Sequence, residues 1–106
     1  MKTKDNPKWL LPSCRVGPHL SIGVVSKAFG ISKQLILGLS RIPRVAWARQ
    51  VLMYLMVERC GMSAAEVGRT LGRDHGTVGY AIKHVRDVMS VYPELKAEIE
   101  EIERKL

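Results

Sequence analysis

The chain has 106 residues, of which 46% are hydrophobic, so its length and composition predict one folded domain with a tail and argue against a disordered chain. The longest apolar run, residues 51–57, is much shorter than the roughly 20 residues that span a bilayer. The apolar stretch near the start is too brief for a signal peptide. We therefore expect a cytoplasmic protein that does not contact a membrane.

The charge of the chain is strongly positive and unevenly distributed. The formal net charge is +7 and the pI is about 9.8. Residues 93–106 hold five acidic and three basic residues, so this end carries −2 and residues 1–92 carry +9. A pI above roughly 9 with clustered basic residues is typical of a protein that binds nucleic acid. Composition alone also permits a basic surface without a partner.

The first half of the chain predicts a basic arm followed by three helices. Residues 1–20 combine prolines with basic residues, which indicates a mostly irregular arm ahead of a domain over residues 21–106. Ser21 and Ser32 are predicted to cap two short helices, the first with an apolar stripe of Val24, Val25 and Phe29. A third helix is predicted to begin at Pro43 and to continue to residue 60.

The second half predicts three more helices. Ser63 and Glu66 have the spacing of a capping box, which marks the start of a short helix that ends at Gly72. Asp74 is the predicted N-cap of the next helix, and a last amphipathic helix follows Pro93. No segment shows the alternation of a strand, so the predicted fold is all-α. The longer helix after Asp74 has a predicted buried stripe of Val78, Ala81, Ile82, Val85 and Met89.

A short helix, a turn and a longer helix form the pattern of a helix-turn-helix, whose second helix places its N-terminal residues in the major groove of DNA. The buried stripe leaves a set of polar residues and one glycine exposed at that end. An aspartate can accept from cytosine, a threonine methyl can contact thymine, and a glycine lets the backbone come close. We therefore predict that this set reads bases: Arg73, Asp74, His75, Gly76 and Thr77.

Other interpretations of the same residues are weaker. Asp74 could serve only as a helix cap, and His75 with Cys60 and His84 lacks the ligand spacing of a metal site. The chain has no recognisable nucleophile elbow and no glycine-rich phosphate loop. We expect no enzyme activity, no cofactor, no metal and no small-molecule substrate. Cys14 and Cys60 have no CxxC partner, which favours reduced thiols over a disulfide.

Several segments resemble one known family. The stretch "GRDHGTV" (residues 72–78) resembles the GGRDHSTV-type signature of the C-terminal DNA-binding domain (domain IV) of the bacterial chromosomal replication initiator DnaA. The segment "ARQVLMYL" (48–55) is similar to that family's ARQIAMYL, and "MSAAEVGRTLG" (62–72) to its L-S-x-x-E-I-G-x-x-F-G helix. The similarity runs in one order over residues 21–106.

The resemblance implies a Trp-repressor-like domain of about six helices that binds a short, asymmetric, AT-rich duplex as a monomer. The broader architecture also allows a weak dimer on a palindrome. Base reading falls on Asp74, His75 and Thr77, and Arg41 falls where the family inserts an arginine into the minor groove. The implied phosphate contacts are Arg49, Gln50, Lys83 and the amides of Ala64 and Ala65. A solvated helix face is the alternative for Arg49 and Gln50.

This chain departs from the family pattern at three positions. The paired glycine is reduced to Gly72, which shortens the turn by one residue, and Gly76 replaces the usual serine or threonine. Trp47 stands where the long helix usually has a basic residue. Because a good base contact discriminates by roughly 1–3 kcal/mol, these changes predict a relaxed or shifted sequence preference.

The 106 residues contain no G-x-x-x-x-G-K-[ST] motif, so we expect the DNA-reading domain to act alone, without ATPase activity. A small, nucleoid-associated transcriptional regulator is the first hypothesis, and a factor that competes for DnaA-type sites in replication control is a variant of it. The alternative class is a protein-interaction module that keeps the fold but binds DNA weakly. RNA fits less well, because its major groove does not admit a helix.

Overall fold

Six helices make up the part of the chain that the computed structural model describes, residues 17–106, and this part contains no strand. The all-α prediction is confirmed. The helices are α1 (Pro18–Phe29), α2 (Lys33–Leu37), α3 (Pro43–Glu58), α4 (Ala64–Leu71), α5 (His75–Val91) and α6 (Pro93–Arg104). Most of the predicted basic arm, and Cys14, lie outside the described residues.

Three predicted N-caps hold their helices as expected. The Ser32 hydroxyl accepts from the Leu35 amide at 3.1 Å and begins α2. At α4, the Glu66 amide donates to the Ser63 hydroxyl at 3.1 Å and the Ser63 amide donates to the Glu66 carboxylate at 2.8 Å, so the capping box is complete. Asp74 caps α5 in the same way. Each cap satisfies amides that have no partner inside the helix, so α2, α4 and α5 begin at fixed residues.

The start of α1 and the end of α3 differ from prediction. The expected Ser21 cap is wrong, because Pro18 has the backbone geometry of a first helical turn and α1 begins four residues earlier than a Ser21 cap would place it. Ser21 is buried inside α1, where its hydroxyl donates to the Gly17 carbonyl at 3.4 Å and lies 3.2 Å from the Cys60 sulfur. Helix α3 ends at Glu58, two residues before the predicted end.

The core surrounds α3, which packs against α1, α2, α4 and α5. Leu52 and Leu55 of α3 are fully buried, and burying a side chain of this size stabilises the fold by roughly 1.5–3 kcal/mol. On α1 the buried stripe includes Ile22, while Val24 is only half-buried. The predicted α5 stripe is buried except for Met89, which is half-buried: Val78, Ala81, Ile82 and Val85. This packing fixes α5 against the centre of the domain.

None of the helices within residues 17–106 combines the length and the apolar character that crossing a bilayer requires.

Candidate nucleic-acid interface

The turn between α4 and α5 consists of Gly72, Arg73 and Asp74 and is held tightly against α4. Gly72 has a φ of +71°, a left-handed conformation that favours glycine, and it caps the end of α4. The Gly72 and Arg73 amides both donate to the Gly68 carbonyl, the latter at 2.8 Å. Gly68 is buried, and a Cβ atom at this position would lie 2.4 Å from the Arg73 carbonyl oxygen. The short turn therefore depends on a glycine in the helix before it.

The first turn of α5 exposes four residues, Asp74, His75, Gly76 and Thr77, which we call the reading tip. The Thr77 amide donates to the Asp74 carboxylate at 2.7 Å, so Asp74 is the N-cap of α5. That backbone hydrogen bond is the main reason why the pKa of Asp74 is lowered. The carboxylate is therefore held in place at the end of the helix. Base reading by the tip remains a prediction.

The reading tip continues into an exposed face of α5 formed by Gly76, Gly79, Tyr80 and Lys83, in which Gly79 and Tyr80 lie three and four residues after Gly76, and Lys83 lies three and four residues after them. Apart from the backbone of its own helix, a Cβ atom at Gly79 would have no heavy atom within 4 Å, so the main chain is exposed to solvent there. The Lys83 ammonium lies 2.9 Å from the Asp87 carboxylate, and this hydrogen bond raises the pKa of Lys83. The proposed phosphate contact of Lys83 thus has an acidic neighbour.

An aromatic cluster links this face of α5 to α3. The His84 ring is stacked on Tyr80 at a centroid distance of 5.9 Å, and it meets the edge of Trp47 at 6.0 Å and 87°. His84 is half-buried, so it belongs to the contact between α5 and α3. Trp47, the residue that departs from the family pattern, supports the helix instead of facing solvent.

Two arginines hold the loop between α2 and α3, residues 38–42, and one of them, Arg73, joins it to the turn of the helix-turn-helix. Arg49 of α3 donates from all three nitrogens of its guanidinium, to the carbonyls of Ile36 at 2.6 Å, Ser40 at 3.1 Å and Leu35 at 3.2 Å. Arg73 donates to the carbonyls of Leu71, at 2.9 Å, and Gly38. The 38–42 loop, which contains the exposed Arg41, is therefore tied through Arg73 to the turn beside the reading tip.

The charge of Arg73 acts on the Arg49 guanidinium. Burial and the neighbouring Arg73 together lower the pKa of Arg49. Because its guanidinium donates to three main-chain carbonyls, Arg49 has a structural role, and its phosphate contact remains a prediction. Gln50 is also half-buried, and its contact with phosphate likewise remains a prediction.

The start of α4 offers two main-chain donors. The capping box uses the amides of Ser63 and Glu66, and within residues 17–106 no acceptor faces the amides of Ala64 and Ala65. Unused amides at a helix N-terminus favour an anion such as phosphate. A helix of eight residues is roughly 12 Å long, so these donors are separated from the Gly72 turn by the length of α4.

Sequence reasoning missed the supporting roles of several arginines. Arg44 donates to the Phe29 carbonyl and stands 5.7 Å from the centre of the Phe29 ring, which fixes the end of α1. The contacts of Arg49 and Arg73 with the 38–42 loop were missed as well. No local motif marks such contacts, because their partners lie 9 to 35 residues away in sequence.

The described residues contain no cluster of three or more histidine, cysteine or acidic side chains that could hold a metal ion. His75, Cys60 and His84 do not form one.

Comparison with known proteins identifies the family. A model described as the bacterial DnaA protein helix-turn-helix matches residues 21–85, which is more than half of the chain. The chain belongs to the DnaA helix-turn-helix family. In this DnaA-type domain the matched region extends from α1 to the middle of α5 and includes the whole turn with the reading tip. A helix-turn-helix of this family binds DNA.

The curated DnaA relatives are similar over most of this chain. The chromosomal replication initiator protein DnaA of Deinococcus deserti is 35% identical over 82 residues, which cover 77% of this chain and 18% of that protein. The DnaA protein of Lactococcus lactis subsp. cremoris is 37% identical over 82 residues, with 76% and 18% covered. That of Thermomicrobium roseum is 31% identical over 90 residues, with 84% and 19% covered. The chain thus spans about a fifth of the length of these DnaA relatives.

Proposed function

We propose that this DnaA-type domain binds double-stranded DNA in a sequence-specific manner and acts as a small transcriptional regulator. The observation that supports this most directly is the hydrogen bond from Arg73, in the turn next to the reading tip, to the Gly38 carbonyl of the 38–42 loop. It creates one basic face from a major-groove element and an arginine that can enter the adjacent minor groove. In this proposal the site is short, asymmetric and AT-rich, and one copy of the chain occupies it as a monomer.

Each part of the face has a separate role in the proposal. Asp74, His75 and Thr77 contact base edges, and Arg41 favours a narrow A·T-rich minor groove with enhanced negative potential. Phosphates are held by charge and by main-chain amides. The residues proposed for phosphate are Arg49, Gln50, Lys83, Ala64 and Ala65. Regulation follows from occupancy of the site, with no catalytic step. Competition for DnaA-type sites would use the same face.

The direct test is binding to a pool of randomised duplexes at two salt concentrations, with sequencing of the bound fraction. We expect an enriched motif that differs from the standard DnaA box, because Gly76 lacks a side chain. Recovery of the unmodified box would contradict the shifted preference. Binding without enrichment that collapses at the higher salt would mean a nonspecific basic surface. Absence of duplex binding would favour the protein-interaction alternative.

Two substitutions at Arg49 separate its charge from its hydrogen bonds. We expect Arg49→Ala to weaken binding to all duplex sequences and to reduce the slope of log K against log salt by about one. Arg49→Lys keeps the charge but loses the three-way contact with the carbonyls of α2 and of the 38–42 loop. It should keep the salt slope while it lowers the preference for A·T pairs next to the site. Equal slopes for wild type and Arg49→Ala would show that Arg49 does not contact phosphate.

Asp74 gives a pH-dependent prediction. Its pKa is lowered in the folded protein by the Thr77 amide, so the cap contributes stability above the ordinary pKa of the carboxyl and loses it as the pH falls through the lowered value. We expect the thermal stability of wild type to exceed that of Asp74→Ala at neutral pH, with a smaller difference in acid, below about pH 4. Asp74→Ser, a cap that does not titrate, is the control and should show no such loss.

A further inference from the structure

The 38–42 loop exposes two large apolar side chains on either side of Arg41. Leu39 is 84% exposed and Ile42 is 59% exposed, and no other large hydrophobic residue within 17–106 is more exposed than Leu39. Single exposed leucines are ordinary on protein surfaces. Two within four residues, on a loop that belongs to a DNA-binding face, need a partner with apolar surface.

The loop that carries these residues is held at several points. The Gly38 and Ser40 carbonyls accept from Arg73 and Arg49, and the Ile42 amide donates to the Ser40 hydroxyl at 3.3 Å. Pro43 then fixes the backbone at the start of α3. A loop anchored in this way presents its side chains without a large ordering cost on binding.

The charge around the loop restricts the kind of partner. Residues 6–57 contain no aspartate or glutamate. The loop itself contains Arg41, and Arg49 and Arg73 donate to its carbonyls. A partner of this surface must carry dense negative charge and must also offer apolar surface to Leu39 and Ile42. A duplex meets both conditions, because an unstacked base step offers apolar ring faces between two phosphate backbones.

We propose that Leu39 and Ile42 act as a wedge that enters a base step from the minor groove beside Arg41 and kinks the duplex toward the major groove. The inference rests on the proposed function of the same face. Apolar wedges of leucine and isoleucine in other minor-groove binders bend DNA by roughly 20–90°. The flexible steps TA and CA/TG unstack most easily, so the wedge also selects sequence at a step where it makes no hydrogen bond.

The experiment measures the bend of an end-labelled duplex by energy transfer, with the full chain bound to the site recovered from the randomised pool. Wild type should bend the duplex. The double variant Leu39→Ala, Ile42→Ala should bind with a bend reduced by about half or more and without a preference for a flexible step under the loop. Both residues are exposed, so the variant should keep the melting temperature of wild type. Val91→Ala, a 64% exposed residue at the far end of α5, is the matched control and should bend the duplex as wild type does.

A straight duplex in the wild-type complex, or a bend that the double variant leaves unchanged, overturns the wedge while the proposed function stands. Loss of all duplex binding by wild type overturns both. Two further experimental results would identify another partner for Leu39 and Ile42 and would also overturn the wedge. One is a change of oligomeric state in the double variant by sedimentation, and the other is binding of wild type to phosphatidylglycerol vesicles that the double variant loses.

Discussion

Replacement of Gly68 by alanine is expected to destabilise the domain by about 3 kcal/mol and to abolish measurable duplex binding. The added Cβ would lie 2.4 Å from the Arg73 carbonyl oxygen and 3.5 Å from the carbonyl carbons of Arg73 and Asp74. All three are main-chain atoms, so no rotamer change relieves the contact and the turn itself must move. Overpacking of this kind costs about 1–3 kcal/mol, a large part of the 5–15 kcal/mol by which a domain is stable. Urea unfolding and duplex binding measure the two effects.

Gly79→Ala is the matched control for that substitution. Gly79 lies in the middle of α5, where a Cβ atom would meet nothing within 4 Å and the backbone is helical. Alanine there should stabilise the domain by about 1 kcal/mol, because glycine is a poor helix former. The same chemical change thus has opposite signs at two positions of one helix-turn-helix. A Gly68→Ala variant as stable as wild type would mean that the turn does not pack on α4 as described.

His75→Ala is expected to have the largest effect on sequence preference. His75 is the first residue of α5 and is exposed in the reading tip. Loss of one good base contact costs about 1–3 kcal/mol, which corresponds to a loss of roughly five- to 150-fold in affinity for the preferred duplex. Affinity for a shuffled duplex should change little, because phosphate contacts supply most nonspecific binding. The measurement is the ratio of the two affinities at one salt concentration.

Two observations accompany the His75→Ala measurement. The melting temperature should stay within about a degree or two of wild type, since an exposed surface substitution rarely changes stability by more than 0.5 kcal/mol. His19→Ala removes a second exposed histidine, on α1, and should leave the ratio of affinities unchanged. Equal losses on preferred and shuffled duplexes would assign His75 to phosphate binding, and base reading would then fall to its neighbours.

The fold could be predicted from the sequence wherever short-range chemistry decides it. The caps formed by Ser63 with Glu66 and by Asp74 join residues three apart, so spacing alone identifies them. The predicted Ser21 cap was wrong because Pro18 also suits a first helical turn, and α1 begins at this proline, before the serine. Helical periodicity also predicted which residues of α5 are buried, since one face of that helix packs on the core.

The candidate site was predicted in its composition but not in its architecture. The reading tip follows from the helix-turn-helix pattern, and the resemblance supplied Arg41 and the phosphate candidates. The carbonyls that Arg49 and Arg73 hold are set by how α2, α3 and the turn pack together. No sequence period encodes that arrangement. For the same reason the exposure of Leu39 and Ile42 on an anchored loop could only be seen in the structure.

The proximity of Arg49 and Arg73 has a consequence for how ionic strength acts on this domain. The positive charge of Arg73 acts against that of Arg49 in the unbound protein, and dissolved ions screen this repulsion. The melting temperature of the free domain should therefore rise as salt is added. Affinity for DNA should fall over the same range, because counterion release becomes less favourable. Stability and affinity consequently have opposite salt dependences. When DNA is bound, its phosphates supply the negative charge that the protein groups around Arg49 and Arg73 lack.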